Sequence, residues 1–144
     1  IVKLTSKGGH PCLLQMQDVH LGTYGCHAKE LLNYLNSIRP KKLILNGDII
    51  DIWQFKKRYW PKSHMKILKK IIDLASKKTK VYYISGNHDE MLRKFIPQKM
   101  GNLIFKNSLI LNLGDKKIWI FHGDIYDFTM KTTKWLAMLG GHEF

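Results

Sequence analysis

The sequence predicts an α/β fold with a mixed sheet arrangement. Short apolar runs rich in strand formers alternate with longer runs of helical period. A late pair of strand-like runs flanks a Gly114-Asp115 turn, which reads as an antiparallel hairpin. A third observation concerns where the runs stop: four of them end in glycine, aspartate, histidine or asparagine. The chain has 144 residues, enough for one domain with a real core, and its 44% hydrophobic content is that of a globular protein.

Each element follows from its own pattern. "PCLLQMQ" reads as a first strand ending near Gln17. In "HAKELLNYLNSI", Leu31, Leu32, Leu35 and Ile38 share one face at helical spacing, and "RPKK" stops the helix. "LILN" is a second strand from Leu43 that leaves at Gly47. "HMKILKKIIDLASKK" is a second helix, with Ile67, Leu68, Ile71, Ile72 and Leu74 expected inward and lysines outward. "KVYYI" is a third strand, "EMLRKFI" a short helix stopped by Pro97, and "SLILNL" and "KKIWIF" the hairpin. "FTMKTTKWLAMLGG" is expected to be helical to about Leu139. There is no internal repeat or low-complexity segment, and no secretory signal is visible. No apolar run approaches the roughly 18–20 residues of a membrane span. Two cysteines, Cys12 in an apolar run and Cys26 in a loop, make no disulfide framework; Cys12 is expected as a buried thiol.

Charge narrows the partners. Lys and Arg number 24 against 11 acids, for a net charge of +13. Such an excess favours nucleic acid, phosphorylated metabolites or an anionic membrane surface. Yet six of the eight aspartates (Asp18, Asp48, Asp51, Asp89, Asp124 and Asp127) fall at or just after the ends of apolar runs. Acids spread for solubility would be scattered.

The four strand exits are Asp18-Val19-His20, Gly47-Asp48-Ile49-Ile50-Asp51, Gly86-Asn87-His88-Asp89 and His122-Gly123-Asp124. In open α/β sheets, ligands collect outside the carboxyl ends of the strands. Gly47, Gly86 and Gly123 let the backbone turn sharply beside an ion or phosphate. Carboxylate oxygen, imidazole nitrogen and amide carbonyl together suit manganese, iron(II) or zinc. Two such ions about 3.5–4 Å apart clamp a phosphoester for hydrolysis, and metal coordination brings a water to hydroxide near neutral pH. The clamp needs a shared carboxylate, for which Asp48 is the natural choice.

DVH, GDIID, GNHD and HGD, in this order and each behind a strand-like run, resemble the motif set of the calcineurin-like metallophosphoesterases. The wider wording "DVHLGTYGCHAKELL", "GDIIDIWQFKKRYWPK", "SGNHDEMLRKF" and "HGDIYD" is similar to their bacterial UDP-2,3-diacylglucosamine hydrolase-like branch. The resemblance covers roughly Asp18 to Gly140. It implies a layered αββα sandwich with mixed sheets, as a single domain over residues 1–144 that is incomplete at its C-terminal end. It also implies two divalent metal ions, Mn2+ first and Fe2+ or Zn2+ as alternatives. Asp18 and His20 would hold the first ion, Asp48 would bridge, and Asn87 and His122 would hold the second. His88 would contact the substrate phosphate and serve the leaving group as acid or stabilise its charge, with Asp48 and Asn87 beside it at the reacting centre. Asp51, Asp89 and Asp124 would orient ligands from behind.

The implied reaction is hydrolysis of a phosphoester or diphosphate bond in a UDP-2,3-diacylglucosamine-like precursor of lipid A. The implied setting is the bacterial cytoplasm, with peripheral contact at the anionic inner membrane. A nuclease or generic phosphodiesterase is the alternative enzyme, where the +13 charge would serve nucleic acid; an inactive, metal-poor binding fragment is the alternative outside catalysis. Three positions depart from the family pattern. Gln17 stands where a serine is usual, and the later Gly-His-x-His is absent, with Phe144 where the second histidine of "GGHEF" would stand. His88 occupies the place of an arginine in well-known diacylglucosamine hydrolases.

Outside the motifs, "DIWQFKKRYWPK" interleaves Trp53, Phe55, Tyr59 and Trp60 with Lys56, Lys57 and Arg58. It reads either as a core-completing segment or as a wall offering rings and cations to a substrate diphosphate. His10, His27 and His64 are expected in solvent and Asp127 at the surface. Met130, Trp135, Leu136, Met138 and Leu139 with Lys131 and Lys134 would suit an anionic membrane surface.

Overall fold

The computed structural model describes residues 2–5, 11–113 and 115–124, with the backbone alone at 2–5, 11, 55–57 and 113. In chain order the elements are β1 (Val2–Thr5), β2 (Pro11–Met16), α1 (Ala28–Ser37), β3 (Lys42–Asn46), α2 (Lys62–Lys77), β4 (Lys80–Ile84), β5 (Lys99–Met100), β6 (Leu103–Lys106), β7 (Ser108–Leu113) and β8 (Lys116–Phe121). Short 3-10 turns at Ile52–Lys57 and Glu90–Phe95 follow the exits of β3 and β4.

Side chains alternate between the faces of a strand, so a strand with apolar residues on both faces needs cover on both sides. β2, β3 and β4 are such strands. With β6 they form the parallel centre of a six-stranded sheet, and β1 and β5 join its two edges antiparallel in the order β1-β2-β3-β4-β6-β5. Leu14, Met16, Leu43, Leu45, Val81 and Tyr83 point to one face and pack against Leu35 of α1 and Ile67, Ile71 and Leu74 of α2. Leu13, Ile44 and Ile84 point to the other and meet Leu109, Leu111 and Ile120 of the β7–β8 hairpin. The described chain is therefore layered as helices, mixed sheet and second sheet. Among the described residues no helix is long and apolar enough to cross a membrane.

Among the described residues, β2, α1, β3, α2, β4, β7 and β8 stand within about two residues of where the sequence places them. β1, β5 and β6 were not expected; they are short, and β1 and β5 sit on the sheet edges. The segment 90–95 is 3-10 rather than α-helical. Two α2 positions correct the sequence reading. Ile72, expected inward, is 62% exposed, because it lies a hundred degrees round the helix from buried Ile71. His64, expected in solvent, is 2% exposed and leads the buried stripe of Ile67, Ile71, Leu74 and Ala75. Cys12 is only half-buried. The expected final helix, Asp127, His10 and His142 lie outside the described residues.

Candidate metal centre

The pairing of β2 with β3 does not stop where the strands do. The Asp18 N–H donates to the Gly47 carbonyl at 3.2 Å, His20 N–H to Asp48 at 2.9 Å and Leu21 N–H to Ile49 at 2.9 Å. The Asp51 N–H returns to Leu21 at 2.8 Å. The first two exits thus travel as one hydrogen-bonded ribbon, which brings Asp18, His20, Asp48 and Asp51 together. Asp18, His20 and Asp48 have φ of 52°, 51° and 53°. Left-handed backbone costs a residue with a side chain roughly 1–2 kcal/mol. Strain of this kind clusters at functional sites, where the surrounding structure over-determines it.

The third exit is tied down by Asp89, which is fully buried. Its carboxylate accepts from the Gly86 N–H (2.6 Å), the Ile49 N–H (3.0 Å) and the Tyr83 hydroxyl (2.6 Å). Burial, and then the negative charge of Asp89, push the Tyr83 phenol far above its ordinary range, so it stays a donor. Asp48 Oδ1 in turn accepts the His88 N–H at 3.0 Å. At the fourth exit, His122 Nδ1 lies 3.2 Å from the Asn46 carbonyl oxygen, and the Asn46 amide donates to the Phe121 carbonyl at 3.2 Å. A ring nitrogen facing a carbonyl carries its proton there, which leaves Nε2 as the lone-pair nitrogen. That Nε2 is 3.6 Å from Asp48 Oδ2.

Two glycines are fixed by these contacts. A Cβ on Gly47, which has φ +75°, would lie 2.1 Å from His122 Nδ1. A Cβ on Gly86 would lie 2.3 Å from Asp48 Oδ1. Imidazole and carboxylate occupy the space that any side chain at these positions would need.

The result is two ligand groups that share one carboxylate. Ligand atoms of His20, Asp48 and His88 lie within 4.8 Å of one another, and so do those of Asp18, Asp48 and His122. Behind them, Asp51 Oδ2 is 3.1 Å from His88 Nδ1 and 3.7 Å from His20 Nδ1. The two imidazoles meet edge to face at 4.9 Å. Asp48 and Asp51 are only 6% and 3% exposed. Among the described residues no lysine or arginine pairs with them or with Asp18. Asp51 Oδ1 is buried and makes no hydrogen bond. Buried carboxylates are normally held by a cation or a metal, and oxygen and imidazole donors suit a divalent transition ion.

The remaining sequence-predicted residues sit as follows. Asn87 is exposed beside this cluster, and its carbonyl accepts the Trp53 indole N–H at 3.2 Å. Asp89 reaches the cluster through the backbone of Ile49 and Gly86. Asp124 pairs with the Arg93 guanidinium, whose Nε also donates to Ser85 Oγ at 3.1 Å. Trp53 lines a cavity of about 240 Å³ with Ile52, His88, Glu90 and Met91. Arg58 is exposed and does not line it, and the side chains of Lys56 and Lys57 lie outside the described residues. His27 is exposed at the start of α1. Cys26 has its thiol pushed up by burial and then by Glu30, which keeps it protonated. Sequence reading missed Tyr83, Arg93 and His64. Each is polar in an otherwise ordinary strand or helix pattern, and only its partner across the fold gives it a role.

Residues 14–142 match the family of calcineurin-like phosphoesterases, a span that takes in all four motifs. The chain belongs to that family. Calcineurin-like phosphoesterases bind divalent metals, and the two groups around Asp48 are the candidate ligands here. This phosphoesterase is 32% identical over 117 residues to a UDP-2,3-diacylglucosamine hydrolase of Blochmanniella pennsylvanica (strain BPEN), covering 78% of this chain and 46% of the relative. To the enzyme of that name from Blochmanniella floridana it is 30% identical over 122 residues (78% and 47%). To that of Porphyromonas gingivalis (strain ATCC BAA-308 / W83) it is 28% identical over 116 residues (74% and 44%). The chain spans just under half the length of these curated relatives.

Proposed function

We propose that this calcineurin-like phosphoesterase is a divalent-metal-dependent hydrolase of a phosphoester or diphosphate bond. Its proposed substrate is a nucleotide-linked diacylated glucosamine of the UDP-2,3-diacylglucosamine kind. The observation that carries the reaction is the sharing of Asp48 between two carboxylate–imidazole groups, the arrangement a two-metal clamp requires. Of the clustered residues, Asp18, His20, Asp48 and His122 would hold two ions, manganese by preference, with Asn87 joining them from outside the two groups and His88 left free for the substrate. Ions bound there would supply an activated water and offset charge on the phosphoryl oxygens. His88, its Nδ1 3.1 Å from Asp51 Oδ2, would turn its other nitrogen to a phosphoryl or leaving-group oxygen.

Two features support the substrate class. The relatives carry the name of that substrate. The cavity beside His88 is walled by Ile52, Trp53 and Met91, and its one acid, Glu90, disfavours a further phosphate. A lipid-like or sugar moiety suits such a cavity better than a polyanionic strand. The same reading puts the chain in the cytoplasm, at the anionic inner face of the membrane.

The test is a substrate panel on metal-stripped protein resupplied with Mn2+. UDP-2,3-diacylglucosamine is compared with single-stranded DNA and RNA, and bond cleavage is followed by phosphorus NMR. Cleavage of the nucleotide lipid only when Mn2+ is present is the expected outcome. Cleavage of nucleic acid with the nucleotide lipid inert would replace the substrate class with the nuclease alternative.

A further inference from the structure

We propose that His64 is a positioning residue for the His20 side of the metal centre, an inference that rests on the metal-dependent reading above. His64 lies in the first turn of α2, far along the chain from the first motif, and is 2% exposed. Its Nδ1 accepts the backbone N–H of Gly22 at 2.9 Å. An acceptor nitrogen carries no proton, so the imidazole is neutral with its proton on Nε2. Burial lowers the pKa of this group, in keeping with that state. His64 belongs to neither ligand group, so its influence passes through the backbone it holds.

That backbone is gripped from several directions. Trp60 and Tyr59 meet the His64 ring edge to face at 5.8 Å and 5.9 Å. Tyr59 also packs against Tyr24 at 3.8 Å. Gly22 has φ +104°, and a Cβ there would come within 3.2 Å of the Trp60 ring, so the main chain is pressed against the indole. The segment leading into α2 and its first turn therefore clamp residues 22–24, which begin two positions after His20. The clamp is transmitted back to the ligand: both the N–H and the hydroxyl of Thr23 donate to the His20 carbonyl, at 3.2 Å and 2.9 Å. His20 sits in left-handed backbone with φ 51° and must be held there. The ribbon to β3 holds it from one side, and the His64 clamp holds it from the other. A hydrophobic residue of similar size at position 64 would fill the core equally well but would leave the Gly22 N–H buried without an acceptor.

The test is calorimetric titration with Mn2+ alone. It compares the unsubstituted chain, His64→Leu, His64→Asn and Tyr24→Ala, with His20→Ala and His122→Ala as references. His64→Leu should weaken one of two ions by about 10–100-fold, the usual effect of removing a group that orients a ligand, and leave the other unchanged. His64→Asn keeps an acceptor at the Nδ1 position and should restore most of the loss. Added to His20→Ala, His64→Leu should cost nothing further; added to His122→Ala, it should cost its full amount. Tyr24 is exposed, so Tyr24→Ala leaves the core intact, and it should weaken the same ion by a smaller factor. If His64→Leu does not fold, unchanged affinity in Tyr24→Ala overturns the inference. Equal weakening of both ions without rescue by asparagine, or wild-type affinity in His64→Leu, overturns it as well. Absence of Mn2+ uptake by the unsubstituted chain would instead remove the metal centre itself, and the inference with it.

Discussion

Gly47→Ala tests the packing of His122 against the second strand exit. The substitution adds one methyl group at a position with φ +75°. The left-handed backbone alone should cost roughly 1–2 kcal/mol. The steric term is larger in its consequence. The new Cβ would lie 2.1 Å from His122 Nδ1, 2.3 Å from Cγ and 2.8 Å from Cε1, whereas ordinary contact begins at 3.4 Å. The imidazole must retreat by more than an ångström, which breaks its contact with the Asn46 carbonyl and carries Nε2 away from Asp48. A misplacement of about 1 Å at a reacting centre can cost on the order of 10²-fold. Mn2+ affinity at the ion held by His122, and turnover, should therefore each fall by about 10²-fold. Gly101→Ala is the control: its φ is +59°, and a Cβ there meets nothing within 4 Å. It carries the backbone cost and no steric one. Titration calorimetry and urea denaturation of both variants separate the two terms. If Gly47→Ala and Gly101→Ala bind Mn2+ alike, the placement of His122 is wrong.

Three further outcomes follow from the same contacts. Asp51→Asn keeps the shape but removes the charge facing His20 and His88, and should weaken Mn2+ binding about 10–100-fold in a calorimetric titration; unchanged affinity would contradict the orienting role. Tyr83→Phe deletes the buried donor to Asp89 and should cost roughly 1.5–3 kcal/mol of stability, the range for a hydrogen bond to a charged group, read from the urea midpoint; a loss under a few tenths would contradict it. Burial holds the His64 pKa below the ordinary imidazole value, so folded and unfolded chains are both neutral above about pH 6.5. As the pH falls below that value the unfolded chain binds a proton that the folded chain refuses, and stability declines toward the lowered pKa. The decline should be shallower in His64→Asn, and equal slopes in the two proteins would refute the assignment.

Much of this architecture is legible in the sequence because its signals are local. The buried strands read as short, mostly apolar runs, the helices as period-3.6 stripes, and the site as polar residues at four strand exits. A parallel sheet puts the exits of β2, β3 and β4 on one edge, so the convergence of Asp18, His20, Asp48 and His88 follows from topology once strands and helices alternate; His122 comes from β8 of the separate hairpin and joins them only through the packing of the two sheets. What could not be read depends on partners distant in sequence. His64 looks like a solvent histidine among lysines until Gly22 is seen against it. Ile72 looks inward because it adjoins Ile71, and only the tilt of α2 on the sheet decides which of the two is covered. Arg93 is surface-like in pattern, and its pairing with Asp124 needs the exits of β4 and β8 to lie side by side. The short edge strands β1 and β5 take their conformation from the neighbours they pair with rather than from any periodicity of their own.

The central claim is that Asp48 is shared by two metal sites. Calorimetric titration of the metal-stripped chain with Mn2+, beside Asp48→Ala, tests it most directly. The account predicts saturable uptake by the unsubstituted chain and loss of both ions together in Asp48→Ala, with His122→Ala and His20→Ala each weakening a different one. Uptake by Asp48→Ala equal to that of the unsubstituted chain would contradict it.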